Sequence, residues 1–283
     1  MLTVLESIKL STEYLQNKEI ESPRINAELL LAKILNCKRL DLYLMFDRPL
    51  MQEEIEQYRE FIRRRSKNEP LQYIVGSVEF YGIEFLVNSN VLIPRQETEI
   101  LVESIIKSFD ANSSLTILDI GSGSGNIAIV LAKYFPNSTV VSIDISQLAL
   151  ETAIHNAKLN AVDQRIIFKM EDITKQPELE RNFFEVIVSN PPYVSSEQYK
   201  DLQPELKIYE PKIALTDNSD GFTFYKLISA KAKSLLKQEG KIFFEVGEGQ
   251  SQNVVDILTE NDFNKIRVIK DYLNIDRVIT GDL

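Results

Sequence analysis

Residues 115–125 have the sequence Leu115-Thr116-Ile117-Leu118-Asp119-Ile120-Gly121-Ser122-Gly123-Ser124-Gly125. The apolar run that ends at Asp119 is typical of a buried strand. The glycines after it predict a loop whose backbone can pass close to a ligand, at the start of a helix that carries Ala128, Leu131 and Ala132. This stretch therefore predicts a strand, a ligand-binding loop and a helix in direct succession.

Strands and helices continue to alternate on the C-terminal side of this unit. Buried strands are predicted at 140–144, 166–170, 184–189 and 241–246, helices near 146–159, 222–237 and 250–260, and a closing pair of strands at 266–269 and 277–280. Repeated strand–helix units of this kind build a mostly parallel sheet with helices on both faces. The pattern therefore predicts the α/β fold class with a doubly wound sheet.

The N-terminal part of the chain has a different pattern. Apolar residues at helical spacing and a helix start at Ser22-Pro23 predict helices from about residue 2 to 69. Short alternating segments broken by glycines predict a β-hairpin that bridges two domains, at 72–76, 78–82 and 83–87. We therefore predict a helical domain over 1–70, a hairpin linker over 71–93 and the α/β domain over 94–283.

Two charged stretches allow both a structural and a functional interpretation. The run Arg63-Arg64-Arg65 closes a predicted helix, where basic side chains stabilise the helix dipole. It could instead contact an acidic partner or RNA. Near the start of the α/β domain, the stretch around Arg95 and Glu97 could be a simple helix cap, or it could place both side chains over the mouth of that domain.

A polar motif, Asn190-Pro191-Pro192-Tyr193, follows the strand predicted at 184–189. Strand pairing must stop there, because neither proline has an N–H and both have a fixed φ. The Asn190 side-chain oxygen and the Pro191 carbonyl are then two fixed acceptors beside an aromatic ring. Such a pair suits a planar group that bears an NH2. The structural alternative is a tight turn at the strand end with a stacked Tyr193.

Acidic residues end three successive predicted strands, at the edge where doubly wound sheets bind ligands. The glycine loop with Ala128 also fits the G-x-G-x-x-A variant used for nicotinamide cofactors, and Asp144 would hold ribose hydroxyls in either case. Two features favour S-adenosylmethionine instead. One is the D-x-G-x-G-x-G spacing that begins at Asp119, and the other is Asp172, which could accept a hydrogen bond from an adenine amino group.

The composition narrows the class of protein. The 283 residues are 44% apolar and 26% charged, as in ordinary globular proteins, and no apolar run is long enough to span a bilayer. The single cysteine, Cys37, excludes an internal disulfide and fits the cytoplasm; with the single histidine, His155, it leaves no credible metal site or Ser-His-Asp triad. The net charge of −10 argues against broad electrostatic binding to nucleic acid.

Together these motifs resemble the amino-methyltransferases, in which (N/D)-P-P-(Y/F/W) marks methylation of a planar nitrogen. More narrowly, the chain is similar to the release factor glutamine methyltransferases, the HemK-type family, over nearly its whole length. The resemblance is carried by Ser22-Pro23-Arg24, Ala27-Glu28-Leu29-Leu30, Gln72-Tyr73-Ile74-Val75-Gly76, Leu92-Ile93-Pro94-Arg95, Glu97-Thr98-Glu99, residues 117–125 and 189–193, and Asp276-Arg277-Val278. Gln96 and Ile173 depart from it, because relatives often have a second proline and an aromatic residue there.

The resemblance implies a Rossmann-like, seven-stranded S-adenosylmethionine-dependent methyltransferase domain behind a small helical substrate-recognition domain. It implies methyl transfer from S-adenosyl-L-methionine, with S-adenosyl-L-homocysteine as product, to the side-chain amide nitrogen (N5) of the glutamine in the Gly-Gly-Gln motif of class I peptide chain release factors. A monomer without membrane or direct nucleic-acid binding is expected. The residues expected to bind the cofactor are Gly121, Ser122, Gly123, Ser124, Gly125, Asp144, Asp172, Ile173 and Asn190, and those expected to bind the substrate are Asn190, Pro191, Pro192 and Tyr193, with Asn190 as the catalytic residue.

Two other functions stay open at this point. A nucleic-acid amino-methyltransferase could hold a flipped adenine or guanine in the same four-residue loop, although the acidic pI counts against it. A binding protein could have kept the pocket and lost turnover, although the intact glycine loop, Asp144 and the Asn-Pro-Pro-Tyr motif make that a weaker reading.

Overall fold

The computed structural model describes residues 2–283, which form two compact units. The first unit runs through Ser77 and also takes in Gln203–Tyr209, and the second comprises Val78–Leu202 and Glu210–Leu283. In chain order the elements are α1 Val4–Gln16, α2 Pro23–Ile34, α3 Gln52–Arg65, α4 Leu71–Val75, β1 Ser77–Phe80, β2 Ile83–Leu86, α5 Gln96–Ser108, β3 Thr116–Ile120, α6 Asn126–Tyr134, β4 Thr139–Asp144, α7 Gln147–Leu159, β5 Ile166–Met170, β6 Phe184–Ser189, α8 Gln198–Asp201, α9 Pro204–Tyr209, α10 Lys212–Leu215, α11 Thr223–Leu235, β7 Leu236–Glu245, α12 Ser251–Glu260, β8 Asn264–Lys270 and β9 Asp276–Asp282.

The first unit is a bundle of short helices around one apolar core. Helix α1 begins with a capping box, in which the Glu6 N–H donates to Thr3 Oγ1 (3.3 Å) and the Thr3 N–H donates to the Glu6 carboxylate (2.9 Å). The core is formed by the fully buried side chains of the helices, among them Val4, Leu15, Leu30 and Leu31. The predicted helices of the N-terminal part are confirmed.

The basic run at the end of α3 is paired within this unit. Arg63 bonds Glu60 and Arg64 bonds Glu69, each through two nitrogens of the guanidinium. Arg65 is buried and holds Glu205 of α9 at 2.9 Å, so it ties the segment 203–209 into the helical unit. The pairing favours the structural interpretation of this run over a contact with an acidic partner or RNA.

The hairpin is shorter than predicted. Residues 71–75 form the helix α4 instead of a strand, and Gly76 ends that helix with φ +84°. The two-stranded sheet consists of β1 and β2 alone, joined by Tyr81 and Gly82, which both have positive φ. The prediction of a strand at 72–76 was therefore wrong: the glycine that was taken as an interruption between strands caps a helix.

The second unit contains a seven-stranded sheet in the order β5-β4-β3-β6-β7-β9-β8. The first five strands in this order are parallel, and β9 pairs antiparallel with both β7 and β8. The chain moves from β3 towards β5 and then returns to place β6 on the other side of β3. The order therefore reverses between β3 and β6, and the predicted doubly wound α/β fold is confirmed.

Both faces of this sheet are covered by helices, which explains the continuous apolar runs of the strands. On one face Ile117, Val140 and Val186 pack with residues of α5, α6 and α7. On the other face Leu118 and Ile187 pack with residues of α11 and α12. Neighbouring positions of a strand point to opposite faces, so most positions of the central strands are apolar, and the polar ones, such as Asp119 and Ser142, are buried with them.

Two parts of the second unit were not predicted. Strand β7 starts at Leu236, five residues before the predicted strand at 241–246. Its added part contains Glu239, which has φ +65°, and its pairing with β6 shifts register between Phe184 and Val186. Helices α8 and α10 are only four residues long and lie near prolines, too short to give a helical pattern. Within residues 2–283, no helix has both the length and the apolar character that a membrane span requires.

Candidate active site

The point where the strand order reverses contains a cavity of about 300 Å³. Strands β3 and β6 pair there with Ile120 opposite Ser189, so the glycine loop and Asn190 leave the sheet side by side. Splayed loops at such a reversal create a crevice at the carboxyl ends of the strands. The sheet topology thus forms the site from two motifs that are about 70 residues apart in the chain.

The structure brings most of the predicted site residues into the wall of this cavity. Those that line it are Gly121, Ser122, Gly123, Ser124, Asp144, Asp172, Ile173, Asn190, Pro191 and Pro192. Further lining residues, which the sequence analysis did not assign, come from the stretch before α5, from the first turn of α5, from α7 and from the segment around α10; they include Val91, Thr98, Ala149, Pro211 and Ile213. The binding roles of all these residues stay predictions at this point.

The glycine loop is held against β4 through its own amide groups. The N–H groups of Gly121 and Ser122 both donate to the Ile143 carbonyl, at 2.8 and 3.0 Å, and the Gly123 N–H donates to Asp144 Oδ2 at 3.0 Å. These three amides are therefore used within the protein. What the glycines offer a ligand is close approach, because a Cβ added at Gly121 or Gly123 would meet no atom within 4 Å.

Asp144 is the last residue of β4, and each of its carboxylate oxygens accepts a hydrogen bond from a backbone N–H. Oδ2 accepts from the Gly123 N–H and Oδ1 accepts from the Ser146 N–H at 2.9 Å. Each oxygen keeps a further lone pair, so the carboxylate can still accept hydroxyl groups from the cavity side. This geometry fits the predicted contact with the two hydroxyls of a ribose.

Asp172 and Ile173 form the wall beyond the end of β5. Asp172 Oδ1 accepts from the Thr174 N–H (2.9 Å) and hydroxyl (2.6 Å), and these hydrogen bonds hold the pKa of the carboxyl below its usual range. The Ile173 side chain is 7% exposed and presents an apolar surface. An ionised acceptor next to an apolar side chain suits the amino edge and the ring face of an amino-purine.

A buried acid supports the glycine loop from behind. The Ser142 hydroxyl donates to Asp119 Oδ2 (2.7 Å) and shares a hydrogen bond of 2.6 Å with the Ser122 hydroxyl, which is thereby turned away from the cavity. Asp119 is completely buried, and its burial, with a smaller effect of the Asp144 charge and against the Ser142 hydrogen bond, raises its pKa from 3.8 to about 7. Asp119 thus shapes the loop and lies outside the cavity wall.

The raised pKa of Asp119 has a consequence for stability. A carboxyl whose pKa is higher in the folded than in the unfolded protein stabilises the fold at low pH and loses that effect as the pH rises towards the folded value. We expect the free energy of unfolding of the wild type to fall relative to Asp119→Asn between pH 4 and pH 7, by at most about 1.4 kcal/mol per pH unit. Urea unfolding at several pH values measures this difference. The control Asp220→Asn removes an acid with a lowered pKa and should leave the slope above pH 5 as in the wild type. A wild-type slope in Asp119→Asn would contradict the expectation.

Asn190 extends from the end of β6 into the wall of the cavity. Its Nδ2 donates to the hydroxyl of Thr98 in the first turn of α5, at 3.2 Å. Since the nitrogen of the carboxamide is turned to Thr98, its oxygen is turned away from Thr98. Pro191 follows as a buried residue, and both prolines hold the loop stiff.

Two predicted site residues lie outside the cavity wall. Gly125 caps α6 with φ +82°, and a Cβ there would approach Ala153 of α7 to 3.1 Å, so this glycine serves helix packing. Tyr193 packs against the apolar cluster under α11, its carbonyl accepts from Gln250 Nε2 at 2.9 Å, and burial raises the pKa of its phenol. Neither residue lines this cavity, and the predicted contacts of Gly125 with a cofactor and of Tyr193 with a substrate stay predictions.

The structure also places residues whose role the sequence left open or missed. Arg95 lines the cavity and forms an ion pair with the buried carboxylate of Glu210, next to α10, whereas Glu97 is exposed. Asn156 of α7 is fully buried and clamps the hairpin to the glycine loop: its Nδ2 donates to the carbonyls of Leu86 and Ser124. The one signal that the sequence offered is the position of Asn156 between the apolar residues Ala153 and Ala157 of the predicted helix, and the sequence analysis did not use it.

The donor and acceptor set of the cavity fits an adenosyl cofactor. It offers a paired carboxylate for a ribose at Asp144, an ionised acceptor and an apolar surface for a purine at Asp172 and Ile173, and a glycine loop without side chains in the way. No group of three or more His, Cys, Asp or Glu side chains among residues 2–283 could hold a metal ion.

Comparison with known proteins finds matches for two separate parts of the chain. A family model described as PrmC N-terminal domain matches residues 6–76, and one described as Methyltransferase domain matches residues 111–273. A release factor glutamine methyltransferase from Fusobacterium nucleatum subsp. nucleatum is 40% identical over 277 residues, which are 97% of this chain and 77% of the relative. One from Geobacter sulfurreducens is 38% identical over 279 residues, 99% of this chain and 96% of the relative. The crystal structure of a methyltransferase from Pyrococcus furiosus is similar in fold, with a TM-score of 0.52 at 17% identity over 72% of this chain and 90% of that chain.

Proposed function

This chain belongs to the family of release factor glutamine methyltransferases, and from that membership we propose that it transfers a methyl group from S-adenosyl-L-methionine to the N5 amide nitrogen of the glutamine in the Gly-Gly-Gln motif of class I peptide chain release factors. The chain is a methyltransferase by family and fold. The observation that carries the finer proposal is the single cavity in which Asp144 and Asp172 lie together with Asn190. Such a cavity would hold a nucleoside next to a carboxamide.

The proposed cofactor site uses the residues already described. Asp144 would hold the ribose hydroxyls, Asp172 would accept from the adenine amino group, and Ile173 would pack on the adenine ring. Gly121 and Gly123 would let the chain of the cofactor pass close to the backbone. The product of the reaction is then S-adenosyl-L-homocysteine.

The proposed role of Asn190 and Pro191 is to hold the amide that is methylated. S-adenosyl-L-methionine supplies, when bound, a methyl group that a sulfonium has already activated. An amide nitrogen is a poor nucleophile, because its lone pair is delocalised into the carbonyl. The Asn190 side-chain oxygen and the Pro191 carbonyl accept the two amide hydrogens, which orients the nitrogen and favours the positive charge that develops on it. Positioning of this kind can contribute up to about 7–11 kcal/mol to lowering a barrier.

The proposed partner is the release factor itself. The helical unit, which the family model matches over residues 6–76, would bind the release factor at a surface outside its Gly-Gly-Gln loop. The proposed enzyme acts in the cytoplasm as a monomer. An RNA substrate is disfavoured by the net charge of −10 and by the internal pairing of the Arg63–Arg65 run.

A transfer assay tests this proposal. The purified chain is incubated with S-adenosylmethionine labelled in its methyl group and, in separate reactions, with a class I release factor, the same factor with the motif glutamine replaced by alanine, and bulk RNA. We expect label only in the unmodified release factor, and mass mapping should place one methyl group on the motif glutamine. Label in RNA, or equal label in the alanine variant, would contradict the proposal.

A further inference from the structure

A buried acid that the proposed reaction does not use lies behind Asn190. Strands β6 and β7 pair with Ser189 opposite Phe244, so the next residues, Asn190 and Glu245, follow each other across the two strands at the same edge of the sheet. Glu245 is 1% exposed although it ends an apolar strand. A buried carboxyl normally has a structural or functional reason, because its desolvation is unfavourable.

Glu245, Thr98 and Asn190 lie next to one another behind the cavity wall. The side chains of Thr98 and Asn190 lie close enough to the Glu245 carboxyl to lower its pKa, and Asn190 Nδ2 donates to Thr98 Oγ1 at 3.2 Å. The Glu245 Oε2 atom is buried and has no hydrogen-bond partner in the structure. An ionised carboxylate has only acceptors. The Thr98 hydroxyl accepts from Asn190, so its single hydrogen is left for a neighbouring acceptor, and the Glu245 carboxylate next to it is such an acceptor. An ionised Glu245 thereby favours a chain of hydrogen bonds that runs from Asn190 through Thr98 to the acid.

We propose that Glu245, acting through Thr98, is a positioning residue that keeps the NH2 end of the Asn190 carboxamide turned inward and its oxygen available to the substrate amide. The inference rests on the proposed function, in which Asn190 Oδ1 accepts a hydrogen from the glutamine amide. Without a fixed acceptor behind Thr98, a carboxamide can rotate by half a turn at little steric cost, since its oxygen and nitrogen have similar size. The reversed carboxamide would present NH2 to the NH2 of the substrate.

Protonation of Glu245 is expected to permit this reversal. A neutral carboxyl can donate to Thr98, and Thr98 can then donate to Asn190 Oδ1. Several groups face Glu245: Glu97 on α5, Arg277 on β9, Tyr193 in the loop, and Tyr225 on α11, whose hydroxyl donates to the Glu245 backbone carbonyl at 2.8 Å. Burial, with the Glu97 charge, raises the pKa of Glu245 to about 7, against the effects of the Thr98 and Asn190 side chains and the Arg277 charge. Turnover should therefore rise with pH through about 7 in the wild type.

The test measures kcat for release factor methylation from pH 5.5 to 9, together with the affinity for S-adenosylhomocysteine by calorimetry. We expect Glu245→Gln to lower kcat at pH 8.5 by about 10- to 100-fold and to remove the rise with pH, with cofactor affinity within about threefold of the wild type. Thr98→Val, which removes the hydroxyl at nearly constant volume, should have the same effect, and Thr98→Ser should restore most of kcat. Tyr225→Phe is the matched control, since it removes a hydrogen bond to the Glu245 backbone and should keep the pH profile.

The outcomes separate this inference from the proposed function. A wild-type rise of kcat with pH that persists in Glu245→Gln, or a parallel loss of turnover and cofactor affinity in both variants, would overturn the positioning role. A wild type that does not methylate the release factor would overturn the proposed function. In that case the side-chain NH2 resonances of Asn190, which are identified by their absence from Asn190→Asp, still test the positioning role of Glu245. These resonances should shift with pH around 7 in the wild type and stay constant in Glu245→Gln. Constant resonances in both proteins would overturn the inference.

Discussion

Asn190→Ala should lower kcat for release factor methylation by at least about 10²–10³-fold while cofactor affinity falls much less. Alanine removes the side-chain oxygen that accepts one of the two amide hydrogens and leaves only the Pro191 carbonyl. The nitrogen then loses both its orientation and the acceptor that favours its developing charge. The cofactor site keeps Asp144, Asp172 and the glycine loop, which are held by bonds that do not involve Asn190. Single-turnover labelling measures the first quantity and calorimetry the second.

A matched variant shows whether the effect comes from the lost Asn190 side-chain oxygen or merely from the loss of a hydrogen bond between an asparagine and a threonine. Asn88 Nδ2 donates to the Thr152 hydroxyl at 3.1 Å, much as Asn190 does to Thr98, but Asn88 is exposed and lies outside the cavity wall. Asn88→Ala should therefore retain most of the turnover. If Asn190→Ala lost cofactor affinity and turnover to the same extent, Asn190 would be part of the cofactor site instead of holding the substrate amide.

The strands that build the site were predictable because strands buried on both faces have continuous apolar sequences. With helices on both faces of the sheet, residues such as Ile117 and Leu118 are both fully buried, and the strand appears as an unbroken apolar run. The polar residues that interrupt these runs at their C-terminal ends then mark the ligand edge. This is why Asp144 and Asn190 could be assigned to one cavity before the register of β3 and β6 was known.

Contacts between distant parts of the chain were beyond the reach of such patterns. Thr98 and Asn190 are separated by 92 positions, and the hydroxyl that bonds the carboxamide lies in a helix whose start was interpreted as a cap or a cover. Gly125 and Tyr193 stand next to true cavity residues, but the backbone turns each of them into the packing behind the wall. Sequence adjacency alone therefore does not tell which residues line the cavity and which pack behind its wall.

Glu245 stands out in the sequence as a charged residue within an apolar strand. It was included in the strand predicted at 241–246, where its neighbours Phe244 and Val246 are apolar and fully buried. A carboxylate within an apolar run of a central strand conflicts with the pattern of that strand, and such conflicts tend to fall at functional positions. The sequence contained this signal, and the structure shows which side chains lie around the acid.

Gly123→Val should remove measurable cofactor binding. Gly123 has φ +52°, a conformation that a β-branched residue adopts only at a cost of about 1–3 kcal/mol, and its N–H holds Asp144. The space around a Cβ at this position is open because it faces the cavity, so the valine side chain would occupy room that the cofactor needs. We expect affinity for S-adenosylhomocysteine to fall by more than about 100-fold, which corresponds to about 2.7 kcal/mol, as measured by calorimetry.

Gly82→Val distinguishes a blocked site from a destabilised protein. Gly82 also has positive φ (+70°) and no atom within 4 Å of an added Cβ, but it lies in the turn between β1 and β2 and outside the cavity wall. Both variants should therefore lose similar amounts of unfolding free energy in urea, whereas only Gly123→Val should lose cofactor affinity. Equal loss of affinity in the two variants would trace the effect to backbone strain, and would contradict the close approach of the cofactor to the glycine loop on which the site is built.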